Sequence, residues 1–447
     1  MKEIEIPYKF EPRPYQKVVF NARDQGFSRF VEVWCRRTGK DKTFVNFTSR
    51  EMMRRVGTYF YVYPTYAQGR KAVWQGMDKD GFKFIDHFPA ELIAKKNDTD
   101  MRIEYKNGSS FQLVGSDNID ALMSSNPVGV VFSEYSLQNP MVWSYIRPIL
   151  RENKGWAAFV YTPRGKNHGW DILEVAKRNP DRWHLSIVTC EDAKDENGDR
   201  FITAEDIEQE RKEGMGEDMI QQEYYVSFDV ALAGAYFSEE IKLAEQRNQI
   251  GIERWEELLP VETYWDLGIS GQDTCAIVFY QREGNRHRII DYYQNSTKGF
   301  DHYAEVLKNK PYKYACHYVP HDARSKERST GREQYKTLAA LLREPVEVLP
   351  RPRTIQDKID AIRWLLKKLY VDKGNCQQLV NAVKSYQREF DEEKKIFNNI
   401  PLHNWASHPV DALSYLALKL KSEIPETSFS GGQNQNEDYD DSSGLRT

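Results

Sequence analysis

At 447 residues, 40% hydrophobic and 13% aromatic, the chain can bury two or three hydrophobic cores and is too long for one. No apolar run approaches the roughly 20 residues that span a bilayer, and the start, Met1-Lys-Glu-Ile-Glu-Ile-Pro7, lacks the apolar stretch of a secretory signal, so a soluble, cytosolic protein with no membrane partner is expected. A formal net charge of -4 supplies no global attraction for nucleic acid, whose binding rests largely on Lys and Arg neutralising phosphates; basic character must be sought locally.

In chain order, apolar and β-branched runs at Phe30 to Cys35, Tyr59 to Tyr63, Val128 to Phe132, Trp156 to Tyr161 and His184 to Val188 alternate with helical stretches. That alternation predicts an α/β unit with a mostly parallel sheet over residues 1–189. Period-two alternation around Asn107-Gly108, within Met101 to Val114, predicts an antiparallel hairpin added to it. From Cys190 the sequence turns polar and helical, which suits a lid or linker over 190–258. A second α/β unit is expected over 259–421. Its opening strands, around Asp266, Thr274 to Gln281 and His287 to Gln294, are joined by short turns and should form an antiparallel meander; strands at Ala315 to Val319 and Val346 to Leu349 follow. Residues 422–447 collapse into Ser, Gly, Asn, Gln and Asp, a composition that buries too little apolar surface to fold. Five cysteines (Cys35, Cys190, Cys275, Cys316, Cys376) lack CxxC spacing and predict buried thiols rather than a zinc ribbon or a disulfide framework.

A loop between a strand and a helix N-terminus offers backbone N–H groups and a positive dipole end to phosphate, and a lysine there reaches the β/γ oxygens. Val31-Glu-Val-Trp-Cys-Arg-Arg-Thr-Gly-Lys-Asp-Lys-Thr43 reads as such a cradle, with Arg37, Thr38, Gly39, Lys40 and Asp41 around the nucleotide. It departs from GxxxxGK[ST]: the leading glycine is absent, Arg36 and Arg37 fill the loop, and Asp41 stands where a hydroxyl ordinarily ligates Mg²⁺. Val128-Gly-Val-Val-Phe-Ser-Glu134 reads as the Walker B strand, ending at the carboxyl edge where ligands of open α/β sheets bind. Ser133 takes the place of its usual acid. Glu134 stands where a carboxylate can orient and deprotonate water, or is an ordinary strand-end acid. The two departures exchange residue types, so Asp41 is expected to face the nucleotide metal, directly or through water, with Ser133 taking the complementary hydrogen bond. Pro14-Tyr15-Gln16 resembles the adenine-reading element of helicase-like motors.

Thr162-Pro-Arg-Gly165 with Asn167-His168, taken with Arg36-Arg-Thr-Gly-Lys-Asp41, Tyr63-Pro-Thr65, Phe132-Ser-Glu-Tyr-Ser136 and Gln222-Glu-Tyr224, resembles the large terminase subunits of tailed bacteriophages over nearly the whole chain to about Leu420. The resemblance implies an N-terminal P-loop ATPase of the ASCE type that pumps double-stranded DNA into a procapsid, and a C-terminal RNase H-like nuclease that cuts the concatemer. It implies ATP and Mg²⁺ as cofactors, with Mn²⁺ a possible nuclease metal. The implied partners are DNA, the portal protein of the procapsid, the small terminase subunit and further copies of the chain in a ring, all in the host cytoplasm. Carried over by residue, Lys40 binds the terminal phosphates, Glu134 is the catalytic carboxylate, Thr162 senses the γ-phosphate and Arg36 neutralises transition-state charge, unless Arg36 is a structural cation beside the phosphates.

Two-metal cleavage of a phosphodiester needs converging carboxylates, which RNase H-like folds supply from the first strand, a later strand end and a C-terminal helix. Asp266 in Tyr264-Trp-Asp-Leu-Gly268, Asp322 ending Tyr318-Val-Pro-His-Asp322, and Asp411 in Ser407-His-Pro-Val-Asp411, opening its helix, fit those places. Asp273 is a fourth candidate, or the end of a turn. His317 and His321 are expected to flank the strand without binding metal, hard oxygen ligands serving these ions better. Arg324, Lys326, Arg328 and Arg332 are candidates for DNA-backbone contacts, or a solvated loop. Two other readings stand beside this one: a helicase-like translocase with an RNase H-like resolvase or repair domain, and a scaffold with a degenerate ATP site.

Overall fold

The computed structural model describes residues 9–117, 122, 125–229, 232, 234–268, 274–296, 298–326, 331–391 and 396–423. Asp273, Arg328 and the tail from 424 onward lie outside them. The chain divides into two units, Met1–Lys242 with Cys376–Val410, and Leu243–Asn375 with Asp411–Thr447. All five cysteines are buried free thiols. Among the described residues no helix is long and apolar enough to cross a membrane.

The first unit is built on an eight-stranded sheet: β1 (Arg29–Trp34), β2 (Thr58–Tyr63), β3 (Ile93–Asn97), β4 (Arg102–Tyr105), β5 (Ser110–Gly115), β6 (Pro127–Ser133), β7 (Trp156–Tyr161) and β8 (Trp183–Val188). Their order is β3-β4-β5-β2-β6-β7-β1-β8, and every pairing from β5 to β8 is parallel. Strand β7 lies between β1, which leads into the cradle, and β6, which ends before Glu134. The five sequence runs are thus five of the parallel strands, β2, β6, β7, β1 and β8, the last at the sheet's edge. Sheets of this kind are covered on both faces: alternate residues of β1 enter different cores, Phe30 and Trp34 one, Val31 and Val33 the other. At the far edge β4 and β5 pair antiparallel across Asn107-Gly108, where Gly108 has φ 92° and the Asn107 side chain accepts from Ser109 N at 2.9 Å. Helices Ala204–Lys212 and Glu217–Glu223 occupy the polar stretch after Cys190, the first opened by a Thr203–Asp206 capping box.

The second unit carries β9 (Ile250–Gly251), β10 (Val261–Asp266), β11 (Thr274–Glu283), β12 (Arg286–Ser296), β13 (Tyr314–Val319), β14 (Val346–Val348) and β15 (Leu369–Asp372), in the order β14-β13-β10-β11-β12-β15-β9. The meander β10-β11-β12 is antiparallel, whereas β13 joins β10 in parallel, which makes the sheet mixed. Beyond the expected end of β13 at Val319, Pro320, with no N–H to give the ladder, ends the pairing, and Asp322 sits in a 3₁₀ turn, His321–Arg324. One position differs from expectation. Asp411 does not open its helix, which begins at Ser407 and runs to Ser422.

In β6 one glycine is required by packing. Gly129 is paired with Trp156 of β7, and a Cβ there would meet the indole at 2.4 Å while Phe47 packs edge-on against the other side, centroids 5.0 Å apart. Replacing Gly129 with Val should therefore overpack the core and lower unfolding stability by about 1–3 kcal/mol, read as a reduced urea midpoint at unchanged m-value. A partial recovery is expected when Trp156→Phe is added.

Candidate nucleotide and metal sites

The cradle is shaped by its backbone. Gly39 caps the helix Lys40–Arg54 in the left-handed region at φ 77°, and Arg37 is left-handed too, at φ 66°. Lys40 is buried, and its ammonium donates to Trp34 O at 3.1 Å, Cys35 O at 3.3 Å and Thr162 Oγ1 at 2.7 Å. Thr162 follows β7 directly, so the lysine ties the loop to two adjacent strand ends. Tyr15 Oη and Gln16 Nε2 both donate to Thr38 O at 2.9 Å; in this structure the predicted base-reading pair braces the loop.

Asp41 and Ser133, the two residues whose types are exchanged, are in contact. Ser133 Oγ donates to Asp41 Oδ1 at 2.7 Å. Two tyrosines from β2 complete the shell, Tyr61 donating to Oδ1 at 2.8 Å and Tyr63 to Oδ2 at 2.7 Å. Burial first, then the Asp41 charge, holds both phenols far above their ordinary range, so they remain donors. Beside them Glu134 leaves β6 in the left-handed region at φ 55°, a conformation costing a non-glycine residue of order 1 kcal/mol, and is half-buried.

The motifs that carried the resemblance are wired together. Ser136 Oγ donates to Thr162 O at 2.8 Å, Asn167 Nδ2 to Ser136 O at 2.8 Å, and His168 Nε2 bonds Tyr135 O at 2.7 Å. Arg36 and Arg164 share one acid: Arg164 pairs with the buried Glu223, the Arg36 guanidinium lies 3.7 Å from its carboxylate, and Arg36 N donates to Glu223 O at 2.8 Å. The Arg36 side chain is otherwise exposed, at 60%.

In the second unit, Asp266 ends β10, and Gly268 N donates to its Oδ1 at 3.2 Å. Burial raises the Asp322 carboxyl above the usual carboxylate range; His321 opposes this and the Asp266 charge adds to it. Its Oδ1 is buried with no hydrogen-bond partner. Tyr415, on the Asp411 helix, is held above its ordinary range by burial and then by Asp266, Asp322 and Asp411 in turn, so all three acids bear on one hydroxyl. They are not, however, closed into a shell: among the described residues no group of three His, Cys, Asp or Glu is gathered tightly enough to hold a metal ion, and Asp411 is ion-paired to Lys358. The donor chemistry nonetheless fits a hard divalent cation, and the orphaned Asp322 oxygen is a ligand atom without a partner. His317 is engaged elsewhere, 2.7 Å from Thr263 Oγ1 and 2.7 Å from Glu344 Oε2. Arg324, Lys326 and Arg332 are exposed on a loop closed by a Lys326–Glu333 bridge.

Residues 263–418, which include all three acids, match the family model described as the terminase RNaseH-like domain. This part of the chain is similar to the terminase RNaseH-like domain. The family suggested by the motifs and the family matched by the domain agree. Solved structures with a similar fold include the large terminase of a thermophilic bacteriophage in complex with ADP (14% identity, 91% of this chain and 98% of that one, TM-score 0.41). Others are the ATPase domain of the Thermus phage P74-26 large terminase (17%, 49% and 95%, 0.40) and the large terminase nuclease domain of bacteriophage SPP1 with bound Mn (15%, 38% and 97%, 0.29). No curated protein matches the chain.

Several residues around the three acids and the cradle carry no motif. Tyr61 and Tyr63 look like core residues of an aromatic strand, and Glu223 is one acid among many in a polar helix. Lys358 and Arg351, whose charge also bears on Tyr415 in the case of Arg351, lie in ordinary helix and loop sequence. The Ser133–Asp41 contact makes a direct prediction. Asp41→Ser or Ser133→Asp alone should each cost about 1–2 kcal/mol of stability through mispaired buried groups, and the double exchange should recover much of it. A double variant no more stable than the sum of the two single effects would show that the two positions are not complementary.

Proposed function

We propose that the chain is the motor and nuclease of a viral DNA-packaging complex. The first unit hydrolyses ATP to drive double-stranded DNA through a portal into a procapsid, and the second cuts the concatemer. One observation carries the cutting half: a stretch matching the terminase RNaseH-like family holds Asp266 at the end of β10, Asp322 in the turn after β13 with a buried, unpartnered Oδ1, and Asp411 on the helix Ser407–Ser422. The motor half is supported by Lys40 and Thr162 in contact at neighbouring strand ends, with Glu134 at the end of β6.

On this reading Lys40 and the N–H groups of the loop bind the phosphates of ATP, Glu134 takes the proton of the attacking water, and Asp41, with Ser133 bonded to it, faces the nucleotide's Mg²⁺. Arg36 stabilises charge on the transferred phosphoryl group, and Glu223 holds its guanidinium beside the loop. Tyr15 and Gln16 set the loop's position from the adenine side. Asp266, Asp322 and Asp411 would hold Mg²⁺ or Mn²⁺, which when bound supplies an activated water and neutralises the leaving oxygen. Arg324, Lys326 and Arg332 contact the DNA backbone without reading bases. Sequence choice then falls to the small terminase subunit, and the working form is a ring on the portal in the host cytoplasm.

Purified protein incubated with plasmid, ATP and Mg²⁺ or Mn²⁺ tests both halves. Asp266→Ala should abolish cutting and spare ATP turnover; Glu134→Ala should do the reverse. Turnover that survives Lys40→Ala, or no turnover at all, would favour the degenerate-site scaffold, and translocation without a portal-bearing procapsid would favour the helicase-like reading. Replacing Arg324, Lys326, Arg328 and Arg332 with alanine should weaken DNA binding and flatten its dependence on salt, by a slope of roughly 0.9 for each phosphate no longer neutralised; an unchanged slope returns the loop to solvent.

A further inference from the structure

We propose that Lys358 is a built-in counter-ion of the acidic cluster, a positioning residue that holds Asp411 while no divalent ion is bound and yields that oxygen when one enters. The inference rests on the metal-nuclease reading above and extends it to a residue outside the acidic motif.

Lys358 lies in the first turns of the helix Ile355–Leu366, whose start is fixed by a capping box between Thr354 and Asp357. Its stem is therefore anchored at a defined point, and its ammonium pairs with Asp411 Oδ1, the two side chains 22% and 31% exposed. Asp411 shares its surroundings with Asp266 and Asp322, and Asp322 already feels both burial and the Asp266 charge. Carboxylates crowded in this way repel one another unless a cation sits among them. Lysine supplies one positive charge and needs one oxygen; a divalent ion supplies two and needs several. Both require Asp411, so they compete for the same carboxylate. That competition accounts for the open arrangement: with Asp411 drawn to Lys358, the acids do not close into a shell, while an Asp322 oxygen stays buried and unpartnered.

A structural salt bridge and a competing counter-ion predict opposite signs. If Lys358 supports the site, removing it weakens metal binding; if it competes, removal strengthens it. Mn²⁺ binding to the full-length protein, followed by titration calorimetry and by the free-ion signal in electron paramagnetic resonance, reads that sign. Wild-type protein should bind Mn²⁺ in a manner abolished by Asp322→Asn. Lys358→Met should bind it about 5- to 10-fold more tightly, the size expected for freeing a partly exposed carboxylate from one ion pair. Lys358→Arg, which keeps the charge, should stay near wild type. In parallel, the melting temperature of Lys358→Met should fall below wild type without metal and rise more steeply with added Mn²⁺. Lys358→Gln, less disruptive to packing, should also gain affinity. Equal or weaker Mn²⁺ binding in the folded Met or Gln variant overturns the counter-ion role and leaves the nuclease reading standing. Absence of Asp322-dependent Mn²⁺ binding in the wild type overturns that reading itself, and this inference with it.

Discussion

The Lys40 ammonium, taken out of water and shared among three oxygens, is the constraint around which the first unit is arranged. A buried cation needs a full set of acceptors or it neutralises, and here they come from two strands, Trp34 and Cys35 at the end of β1 and Thr162 just beyond β7. They meet because β1 and β7 are parallel neighbours in the register Val33 to Tyr161. Slipping that register by one residue would turn the Thr162 hydroxyl to the other face of the sheet and leave the ammonium one acceptor short. The loop conformation thus depends on strand pairing that is itself set by two hydrophobic cores. Loop chemistry and sheet packing are coupled through one side chain.

The second unit reverses the problem, since like charges have to be kept together. Asp266 reaches its place because β10 ends there, and Asp322 because Pro320 stops β13, paired to β10 through Tyr264 and Tyr318, and folds the chain into a 3₁₀ turn. Asp411 comes from a helix that starts a full turn earlier. Burial raises Asp322, and the Asp266 charge raises it further. Lys358 pairs with Asp411, and the charge of Arg351 bears on Tyr415.

The central strands were readable in the sequence because a parallel sheet covered on both faces writes itself as continuous apolar runs, and the hairpin because Asn107-Gly108 supplies the left-handed turn. The Ser133–Asp41 contact was readable for a different reason: each residue is the wrong type for its motif in a way that the other corrects. Partners without a motif could not be found so. Tyr61 and Tyr63 alternate within β2 like any buried aromatics, and nothing in the sequence marks their hydroxyls as donors to an acid in the preceding helix. Lys358 is hidden by the commonness of lysine on helices, and Glu223 by the acidic composition around it. The grouping of Cys376–Val410 with the first unit was equally invisible, because composition does not change where the chain returns. The strand before Asp322 ends where the apolar run does, at Val319, because Pro320 follows directly and stops the ladder before the acid is reached.

The two candidate sites handle their carboxylates by different means, and the difference has an energetic meaning. Asp41 is satisfied by three neutral hydroxyls, each of which can swing to another acceptor by rotation about one bond, so engaging a new partner requires little rearrangement and no charge to be moved. Asp411 is engaged by a cation, which must be displaced and rehydrated before another takes its place. A site that turns over continually is served by the first arrangement; a site that should stay quiet until its substrate and metal arrive together is served by the second. On the proposed function the hydroxyl-held acid lies in the motor, which must cycle many times per genome. On the same reading the lysine-held acid lies in the nuclease half, where a premature cut would be ruinous.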